Sequence, residues 1–390
     1  MFKNIAKIFS SHILVKVIGL LNIAIILSFL EVFEFGLYSY YLVMLNLIAV
    51  IIDPFLSAYL VEYKLNNYKK YNVGIFTFSI LLLPLFYVIL RVNFEIDLSI
   101  FLWFSFSFIL SGIIKSFLNV NERFFKYGLV DVFRQMSILL STIVCFYFLE
   151  KNYYLFLLKV NYISATIVLI MILPFFIKTN EVFLDLKLKT LKRLFQKSKF
   201  LIFYTALIPV IGYIDSYFVE KYLTENDLGM YSFSLKVYSI SLMLIIPIFT
   251  VLNIKQIEIA KEKKYTVFLK ENIKKVITYA LIILIIAFTA NYLISHYFYP
   301  VYRASFLDSS ILLFGAFITY VSMPFSFLIA YKKYKWLFLL SILALISNIV
   351  INALFITKYG TIIAALSTFL SQIIINLGAA IVSYYILEKE

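Results

Sequence analysis

Eight ionisable side chains lie inside long apolar stretches of this 390-residue chain. They are Lys16, Asp53, Lys115, Asp131, Arg134, Lys159, Asp215 and Lys236. An ionised side chain at the centre of a lipid bilayer costs from about 2.5 to more than 10 kcal/mol, so such residues are candidates for binding or transport. Five of them are cations and three are acids, which leaves two positive charges in excess. Because lysine and arginine bind phosphate strongly in a low dielectric, we expect these cations to line a cavity for an anionic substrate.

Two of the carboxylates, Asp53 and Asp215, are candidates for coupling to an ion. A carboxylate held within a membrane binds Na⁺ or carries a proton when it is not neutralised by a neighbour. Neutralisation remains an alternative for both residues: Asp53 as the counter-ion of Lys16, and Asp215 as the partner of Lys236. The sequence alone leaves these alternatives open.

The other buried charges have structural alternatives as well. Asp131 precedes Arg134 by three residues on one helical face, so we expect a local ion pair between them. Lys16 and Lys115 lie within reach of the cytoplasmic membrane surface, and Lys159 lies within reach of the outer one. Long lysine side chains can extend to such a surface while their stems stay in the apolar region.

A lipid bilayer is the solvent that the composition indicates. The chain is 63% hydrophobic and 14% charged, with a mean hydropathy of +0.96, whereas soluble domains are about 25% charged. A membrane-spanning helix needs about 20 apolar residues, and the sequence predicts twelve such spans. They cover residues 11–30, 36–62, 73–92, 98–119, 128–149, 154–177, 200–221, 228–254, 276–297, 308–331, 336–357 and 360–387.

Several other classes of site are excluded or disfavoured by the sequence. There is no Gly-x-x-x-x-Gly-Lys phosphate loop, so no nucleotide motor is predicted. Cys145 is the single cysteine and cannot form an intramolecular disulfide, while His12 and His296 are far apart and offer no metal cluster. We therefore expect no cofactor, no metal and no enzymatic activity.

The basic residues orient the spans. With the N-terminus in the cytoplasm, 25 of the 35 lysines and arginines fall in cytoplasmic segments, five fall on the outer side and the remaining five lie within spans. This asymmetry follows the positive-inside rule and predicts that both termini are cytoplasmic. The net charge of +14 is thereby spread over all the cytoplasmic loops, which disfavours a nucleic-acid partner. Apolar and basic residues alternate over 181–199, as in an amphipathic helix at the membrane surface.

An internal repeat relates the two halves of the chain. Residues 12–62 align without a gap on 205–255, at an offset of 193 positions. The aligned pairs include Gly19 with Gly212, Asn22 with Asp215, Tyr38 with Tyr231, and Pro54 with Pro247. A proline inside a helix removes a backbone hydrogen bond, so we expect Pro54 and Pro247, with Gly19 and Gly212, to act as helix breaks or hinges.

The repeat predicts the architecture. Six spans precede the segment 181–199 and six follow it, so the two copies share one orientation and are related by an axis along the membrane normal. We expect an all-α integral membrane protein of twelve transmembrane helices, arranged as two six-helix bundles that enclose a central cleft. The expected divisions are an N-terminal bundle over 1–180, a cytoplasmic amphipathic linker over 181–199 and a C-terminal bundle over 200–390.

Three sets of short motifs carry a resemblance to a known family. The first is Glu34-Phe-Gly-Leu-Tyr-Ser, followed by Asp53. The second is Gly212-Tyr-Ile-Asp215 with Asp227-Leu-Gly-Met-Tyr-Ser. The third set is Tyr331-Lys-Lys-Tyr-Lys, Asn348, Asn352 and Tyr359-Gly-Thr-Ile-Ile-Ala-Ala. In this order and spacing, the chain resembles the polysaccharide-transport (Wzx-type, O-antigen flippase) branch of the multidrug/oligosaccharidyl-lipid/polysaccharide exporter superfamily.

The resemblance implies a function. It implies alternating access in the bacterial inner membrane, with spans 1, 2, 7 and 8 around a central cavity. The implied substrate is an undecaprenyl-pyrophosphate-linked oligosaccharide, such as an O-antigen repeat unit, moved from the cytoplasmic to the periplasmic leaflet. H⁺ or Na⁺ is the implied coupling ion. Membrane lipids and other polysaccharide-assembly proteins are the further partners expected.

Three alternatives compete with this interpretation. A drug antiporter of the same superfamily should have an acidic cavity, which the excess of positive charge disfavours. A lipid II flippase usually carries more than twelve spans. A membrane polysaccharide polymerase needs sizeable external loops, and the longest predicted outer loop has about ten residues.

Overall fold

The structure is a computed structural model that describes most of the chain. The described residues are 2–50, 71–72, 80–88, 91, 97–121, 123–148, 154–177, 182–183, 188–243, 256, 259 and 265–387. Asp53, Pro54 and Pro247, which the sequence singles out, lie outside the described residues. The chain divides into two compact units, Met1–Ala206 and Leu207–Glu390.

Unit 1, Met1–Ala206, is built from long apolar helices. They are α1 (Phe2–Phe29), α2 (Val32–Asn46), α3 (Leu98–Val120), α4 (Phe124–Phe148), α5 (Tyr154–Phe176) and the first part of α6 (Leu188–Tyr222). Residues 80–88 are helical as well. Helix α4 packs against α1 and α5, and α3 packs against α5. These contacts bring the polar residues of α1, α3, α4 and α5 into one core.

Unit 2, Leu207–Glu390, contains the rest of α6 and a second set of helices. They are α7 (Glu225–Met243), α8 (Tyr265–Leu293), α9 (Phe306–Ser322), α10 (Tyr334–Tyr359), α11 (Thr361–Gln372) and α12 (Gly378–Leu387). Helix α9 contacts α7, α8 and α11, and α10 packs against α11. Short π-helical and 3₁₀ segments complete the unit: Ile294–Phe298, Pro300–Ser305, Met323–Phe325 and Ile373–Leu377.

Many of the described helices are long and apolar enough to cross a bilayer. Among the described residues, eight stretches meet this standard, and Leu14–Phe29 forms a shorter apolar helix. The eight are Leu98–Asn119, Phe125–Tyr147, Tyr154–Phe176, Lys199–Tyr222, Val267–Phe298, Pro300–Phe325, Tyr334–Tyr359 and Thr361–Ile386. Each overlaps one of the twelve predicted spans, so the all-α membrane class predicted from composition is confirmed. The tenth span begins and ends earlier than expected, since it is predicted over 308–331 and found over Pro300–Phe325.

Small side chains let the helices of unit 2 approach closely. Ala316 of α9, Ala344 of α10, and Ala364 and Ala365 of α11 are fully buried. In a membrane, where lipid is as apolar as leucine, close packing and interhelical hydrogen bonds hold helices together. The small residues of α10 and α11 therefore set the short separation that the polar side chains of these helices bridge.

Polar residues begin several of the helices. The Asp97 side chain accepts a hydrogen bond of 3.0 Å from the backbone N–H of Ile100 at the start of α3. The Thr224 and Asp227 side chains reciprocally cap α7, which is the capping-box arrangement. Gly360 separates α10 from α11 at a φ of 69°, a backbone conformation that favours glycine.

The segment between the two predicted bundles differs from expectation in its first part. Val182–Phe183 forms a short parallel strand pair with Tyr71–Asn72, where the sequence favoured an amphipathic helix from residue 181. The helix begins at Leu188 and continues without interruption to Tyr222, so it joins the predicted linker directly to span 7. Val182 and Phe183 are β-favouring residues, and pairing with another strand satisfies their backbone groups.

Candidate functional site

A buried carboxylate on α6 lies at the centre of the polar core of unit 2. Asp215 is 1% exposed. Its Oδ1 accepts hydrogen bonds from Asn348 Nδ2 at 3.0 Å, from Asn352 Nδ2 at 2.8 Å and from the Ser367 hydroxyl at 2.7 Å. Its Oδ2 accepts from the Thr368 hydroxyl. Asp215 and these four partners are called the Asp215 cluster below.

The helix geometry places the four partners. Asn348 and Asn352 are four residues apart on α10, so they lie on one face of that helix. Ser367 and Thr368 are adjacent on α11. Ser367 also accepts a hydrogen bond of 2.8 Å from Asn352, which ties α11 to α10. Three helices therefore converge on Asp215.

Neutral donors, rather than a cation, surround this carboxylate. Hydrogen bonds to a charged group contribute roughly 1.5 to 3 kcal/mol each, which offsets much of the cost of burial. The alternative pairing of Asp215 with Lys236 is not formed, because the described residues contain one ion pair and it lies in unit 1. No described cation is therefore paired with Asp215.

The oxygen atoms of the Asp215 cluster fit a hard monovalent cation. The amide Oδ1 of Asn352 is buried and has no hydrogen-bond partner among the described residues. Together with the carboxylate and the hydroxyls of Ser367 and Thr368, it forms an all-oxygen set, and oxygen ligands suit hard cations such as Na⁺. The described residues hold no group of three or more acidic, histidine or cysteine side chains that would suit a multivalent metal.

A second charged cluster lies in unit 1. Lys115 Nζ of α3 contacts Asp131 Oδ2 of α4 at 2.7 Å, and the two side chains are 26% and 17% exposed. The same ammonium lies 4.9 Å from the centre of the Tyr127 ring. Lys16 of α1 interacts electrostatically with both Asp131 and Lys115. The cluster therefore joins three helices.

Arg134 adds a further positive charge to this cluster. It interacts electrostatically with Lys115 and with the buried Tyr162 of α5. The expected local pair of Asp131 with Arg134 is not formed, since Asp131 instead turns to Lys115 on the neighbouring helix. The Arg134 Nε is buried and has no hydrogen-bond partner among the residues described. Among the described residues, Lys16, Lys115 and Arg134 accompany one acid, Asp131, so this basic cluster has an excess of two positive charges within that part of the chain.

The remaining predicted cations lie outside both clusters. Lys159 of α5 and Lys236 of α7 are half-buried, and neither forms an ion pair within the described part of the chain. The structure therefore brings together three of the five cations that the sequence assigned to a substrate cavity.

Unit 1 also has an uncharged counterpart of the Asp215 cluster. Asn161 Oδ1 of α5 accepts hydrogen bonds from Ser141 at 2.7 Å and from Thr142 at 3.2 Å, both on α4. Asn22 of α1, which the repeat aligns with Asp215, is 6% exposed. At the position where unit 2 has the buried Asp215, unit 1 therefore has a buried, uncharged asparagine.

The predicted glycine breaks are not visible as interruptions of the backbone. Helices α1 and α6 run through Gly19 and Gly212 without a break. No atom lies within 4 Å of a Cβ added at either position. The two glycines are therefore exposed to open space within each unit, and their role as hinges stays a prediction.

The sequence missed the partners of Asp215. Ser367 and Thr368 belong to none of the sequence motifs. The two asparagines of α10 belong to one, but the motif assigns them no role. A signal was present: two asparagines four residues apart in a helix of otherwise apolar residues place two amides on one face. Such buried amides are costly without partners, which points to a polar site on the neighbouring helix.

Comparison with known proteins finds solved structures with a similar fold. No family model and no curated protein sequence matches the chain. Solved structures do match. A lipid II flippase, MurJ, in an inward closed conformation has a TM-score of 0.66 and 16% identity, over 99% of this chain and 92% of that one. A point mutant of a MATE protein has a TM-score of 0.68 and 9% identity, over 99% of this chain and 96% of that one.

A third neighbour is a MOP superfamily transporter from Pyrococcus furiosus, with a TM-score of 0.64 and 12% identity over 99% of this chain and 95% of that one. The chain therefore shares its fold with these solved structures. The predicted layout of twelve helices in two bundles fits them, and membership of the superfamily stays a prediction. The polysaccharide branch, the O-antigen substrate and the inner-membrane location remain predictions.

Proposed function

We propose that this chain is a flippase for a lipid-linked oligosaccharide whose lipid and sugar are joined by a diphosphate. The observation that supports the proposal is the basic cluster of unit 1, in which three cations, Lys16, Lys115 and Arg134, accompany Asp131 as the one acid among the described residues. An excess of two positive charges complements the diphosphate, the charged part of such a substrate. Transport from the cytoplasmic to the periplasmic leaflet by alternating access follows the expectation drawn from the sequence.

Arg134 is the strongest individual candidate for contact with the diphosphate. Its guanidinium carries five N–H donors, and the Nε–H is buried without a partner among the described residues. Arginine matches phosphate oxygens with two parallel hydrogen bonds, which a lysine cannot do. Lys115 is restrained by Asp131, so we assign it to positioning and to the electrostatic field rather than to a direct contact.

The Asp215 cluster supplies the proposed coupling site. A cation bound there neutralises the buried carboxylate of Asp215. After the cation is released, neutral hydrogen-bond donors stabilise the charged carboxylate; they are Asn348, Asn352, Ser367 and Thr368. Na⁺ or H⁺ is the proposed ion. Asp53, the second candidate, lies outside the described residues and keeps its role as a hypothesis.

Other transporters of this fold are the second candidates. The structural neighbours include a lipid II flippase and MATE multidrug transporters. The basic cluster disfavours a cationic drug as the substrate of unit 1. The Pyrococcus furiosus neighbour is itself described as having a binding pocket of reverse polarity that suggests a different function, so this fold tolerates either sign of charge.

A ligand-binding measurement tests the proposal. The purified full-length protein is titrated with an oligosaccharide linked through a diphosphate to a short prenyl chain, and with the same glycan on the uncharged prenyl alcohol. Loss of a hydrogen bond to a charged group costs roughly 1.5 to 3 kcal/mol, so we expect Arg134→Gln to weaken binding of the diphosphate by about 10- to 150-fold. Exposed Lys274 provides the control variant Lys274→Gln, for which affinity should stay unchanged.

The glycan on the uncharged prenyl alcohol should bind weakly, and with the same affinity, to the wild type and to each variant. If Arg134→Gln and Lys16→Gln both bind the diphosphate as the wild type does, the basic cluster is not the diphosphate site and the proposal fails. The bacterial inner membrane, cytoplasmic termini and further polysaccharide-assembly partners belong to the same proposal.

A further inference from the structure

A second buried carboxylate lies in unit 2. Asp308, in the first turn of α9, is 2% exposed. It hydrogen-bonds to Thr361, the first residue of α11. No described cation forms an ion pair with it. Burial of an acid without a counter-charge is costly, and the cap of one helix start does not require a charged group.

The hydroxyl of Tyr231 on α7 is the second unusual feature of this region. Tyr231 is 0% exposed, and its hydroxyl has no hydrogen-bond partner of good geometry among the described residues. The side chain interacts with Thr368, the residue that donates to Asp215. It also interacts electrostatically with both Asp215 and Asp308. A buried hydroxyl left without a partner needs an explanation beyond packing, because phenylalanine would fill the same space.

The spacing along α11 relates the two carboxylates. Thr361 and Thr368 are seven residues apart, which is two turns, so they lie on the same face about 10 Å apart along the axis. Asp308 is bonded to the first threonine and Asp215 to the second. Tyr231 interacts with the carboxylates at both ends of this interval. Asp308, Tyr231 and Asp215 are therefore linked by these electrostatic interactions and by the two threonines of α11.

A further polar contact supports the placement of Tyr231 near Asp308. The Ser234 hydroxyl of α7 donates to the backbone carbonyl of Ser305, just before Asp308, at 3.1 Å. It holds the middle of α7, which carries Tyr231, against the start of α9. Both Asp308 and Thr361 lie at helix starts, at the end of the unit that the positive-inside analysis assigns to the outer face.

We propose that Asp308 and Tyr231 form the access path through which the coupling cation passes between Asp215 and the end of unit 2 where α9 and α11 begin. The inference rests on the proposed coupling role of Asp215 and adds the route to it. Asp308 is the entry carboxylate, and the Tyr231 hydroxyl oxygen is an intermediate contact. No covalent step is involved, since the cation only exchanges oxygen ligands.

Two conservative variants separate this role from helix capping. Asp308→Asn keeps an amide oxygen for the hydrogen bond to Thr361 but removes the charge. Tyr231→Phe keeps the ring and removes only the hydroxyl. The matched control is Tyr302→Phe, because Tyr302 is also a buried tyrosine of unit 2, stacked on Phe233, and it interacts electrostatically with Tyr299.

The experiment uses the full-length protein in proteoliposomes without any lipid-linked substrate. Exchange of ²²Na⁺ across the membrane gives the rate of ion passage, and a trapped pH dye reads proton flux in a parallel arm. Equilibrium binding of ²²Na⁺ to the detergent-solubilised protein reports occupancy of the Asp215 cluster. Of the two fluxes, Na⁺ exchange and proton flux, the relevant one is that which the wild type carries. We expect Asp308→Asn and Tyr231→Phe to slow this flux at least tenfold, while equilibrium binding of ²²Na⁺ changes less than twofold.

Wild-type exchange rates in both folded variants would overturn the path. Loss of equilibrium binding in these variants, to the level of Asp215→Asn, would also overturn it, because the residues would then belong to the binding site. A failure of the proposed coupling looks different: Asp215→Asn would bind and exchange cations as the wild type does. The absence of lipid-linked substrate keeps both outcomes independent of the diphosphate site.

Discussion

Asn352 donates a hydrogen bond of 2.8 Å to Oδ1 of Asp215, while its own amide oxygen has no partner among the residues that the structure describes. One side chain therefore stabilises the carboxylate and offers a cation an oxygen ligand beside it. In the proposed coupling site, the amide N–H groups and hydroxyls would bind Asp215 when no cation is present. When a cation is present, the oxygen atoms would bind the ion.

The first prediction concerns Asn352→Asp, which adds a second carboxylate of the same shape. Because opposite charges attract strongly in a low dielectric, we expect Na⁺ to bind about tenfold more tightly, which corresponds to about 1.4 kcal/mol. The measurement is the rise in melting temperature of the detergent-solubilised protein in NaCl relative to choline chloride. The rise should be larger than in the wild type and absent in Asp215→Asn. An unchanged response of Asn352→Asp would show that Asn352 is not a ligand.

The second prediction concerns the ion pair of Lys115 with Asp131 in unit 1. The pair is partly exposed, so removal of one partner should cost about 1 to 3 kcal/mol, between the values typical of surface and buried pairs. Lys115→Met and Asp131→Leu should each lower thermal stability. The double variant should recover part of the loss, since neither side chain of this pair is then left without its partner. Strictly additive losses in a double-mutant cycle would mean that the two side chains do not interact energetically.

The third prediction concerns the two glycines that the repeat aligns. A methyl group added at Gly19 or Gly212 meets no atom within 4 Å, and alanine is favoured over glycine in a helix by about 0.5 to 1 kcal/mol. We therefore expect Gly19→Ala and Gly212→Ala to keep or raise thermal stability while slowing transport, if these positions bend. The control is Gly315→Ala in α9, where the added methyl would lie 3.6 Å from Gln372. Undiminished transport in both hinge variants would remove the hinge role.

The sequence predicted the membrane class and the approximate positions of the spans that the structure describes. Apolar composition and the length of the stretches follow directly from bilayer thickness, so these predictions needed no tertiary information. The strand pair of Tyr71–Asn72 with Val182–Phe183 could not be predicted, because it depends on a contact between residues more than a hundred positions apart.

The partner of each buried charged residue was less predictable than the position of that residue in a helix. Asp131 has Arg134 three residues away, yet it pairs with Lys115 on another helix. Helix packing determines which cation contacts a carboxylate. Spacing along the sequence identifies only the candidate partners on the same helix. The same holds for Asp215, whose partners lie 133 to 153 residues further along the chain. Only the approach of α10 and α11 brings these donors to α6.

The most direct test of the proposed function is a translocation assay with the protein reconstituted in liposomes. A fluorescent oligosaccharide linked by diphosphate to an isoprenoid is placed in both leaflets, and a membrane-impermeant quencher measures how fast the protected fraction becomes accessible. We expect the wild type to move this lipid, Arg134→Gln to move it at least tenfold more slowly, and a cationic dye not to be transported. Transport of the cationic dye, with no movement of the diphosphate-linked lipid, would contradict the proposal.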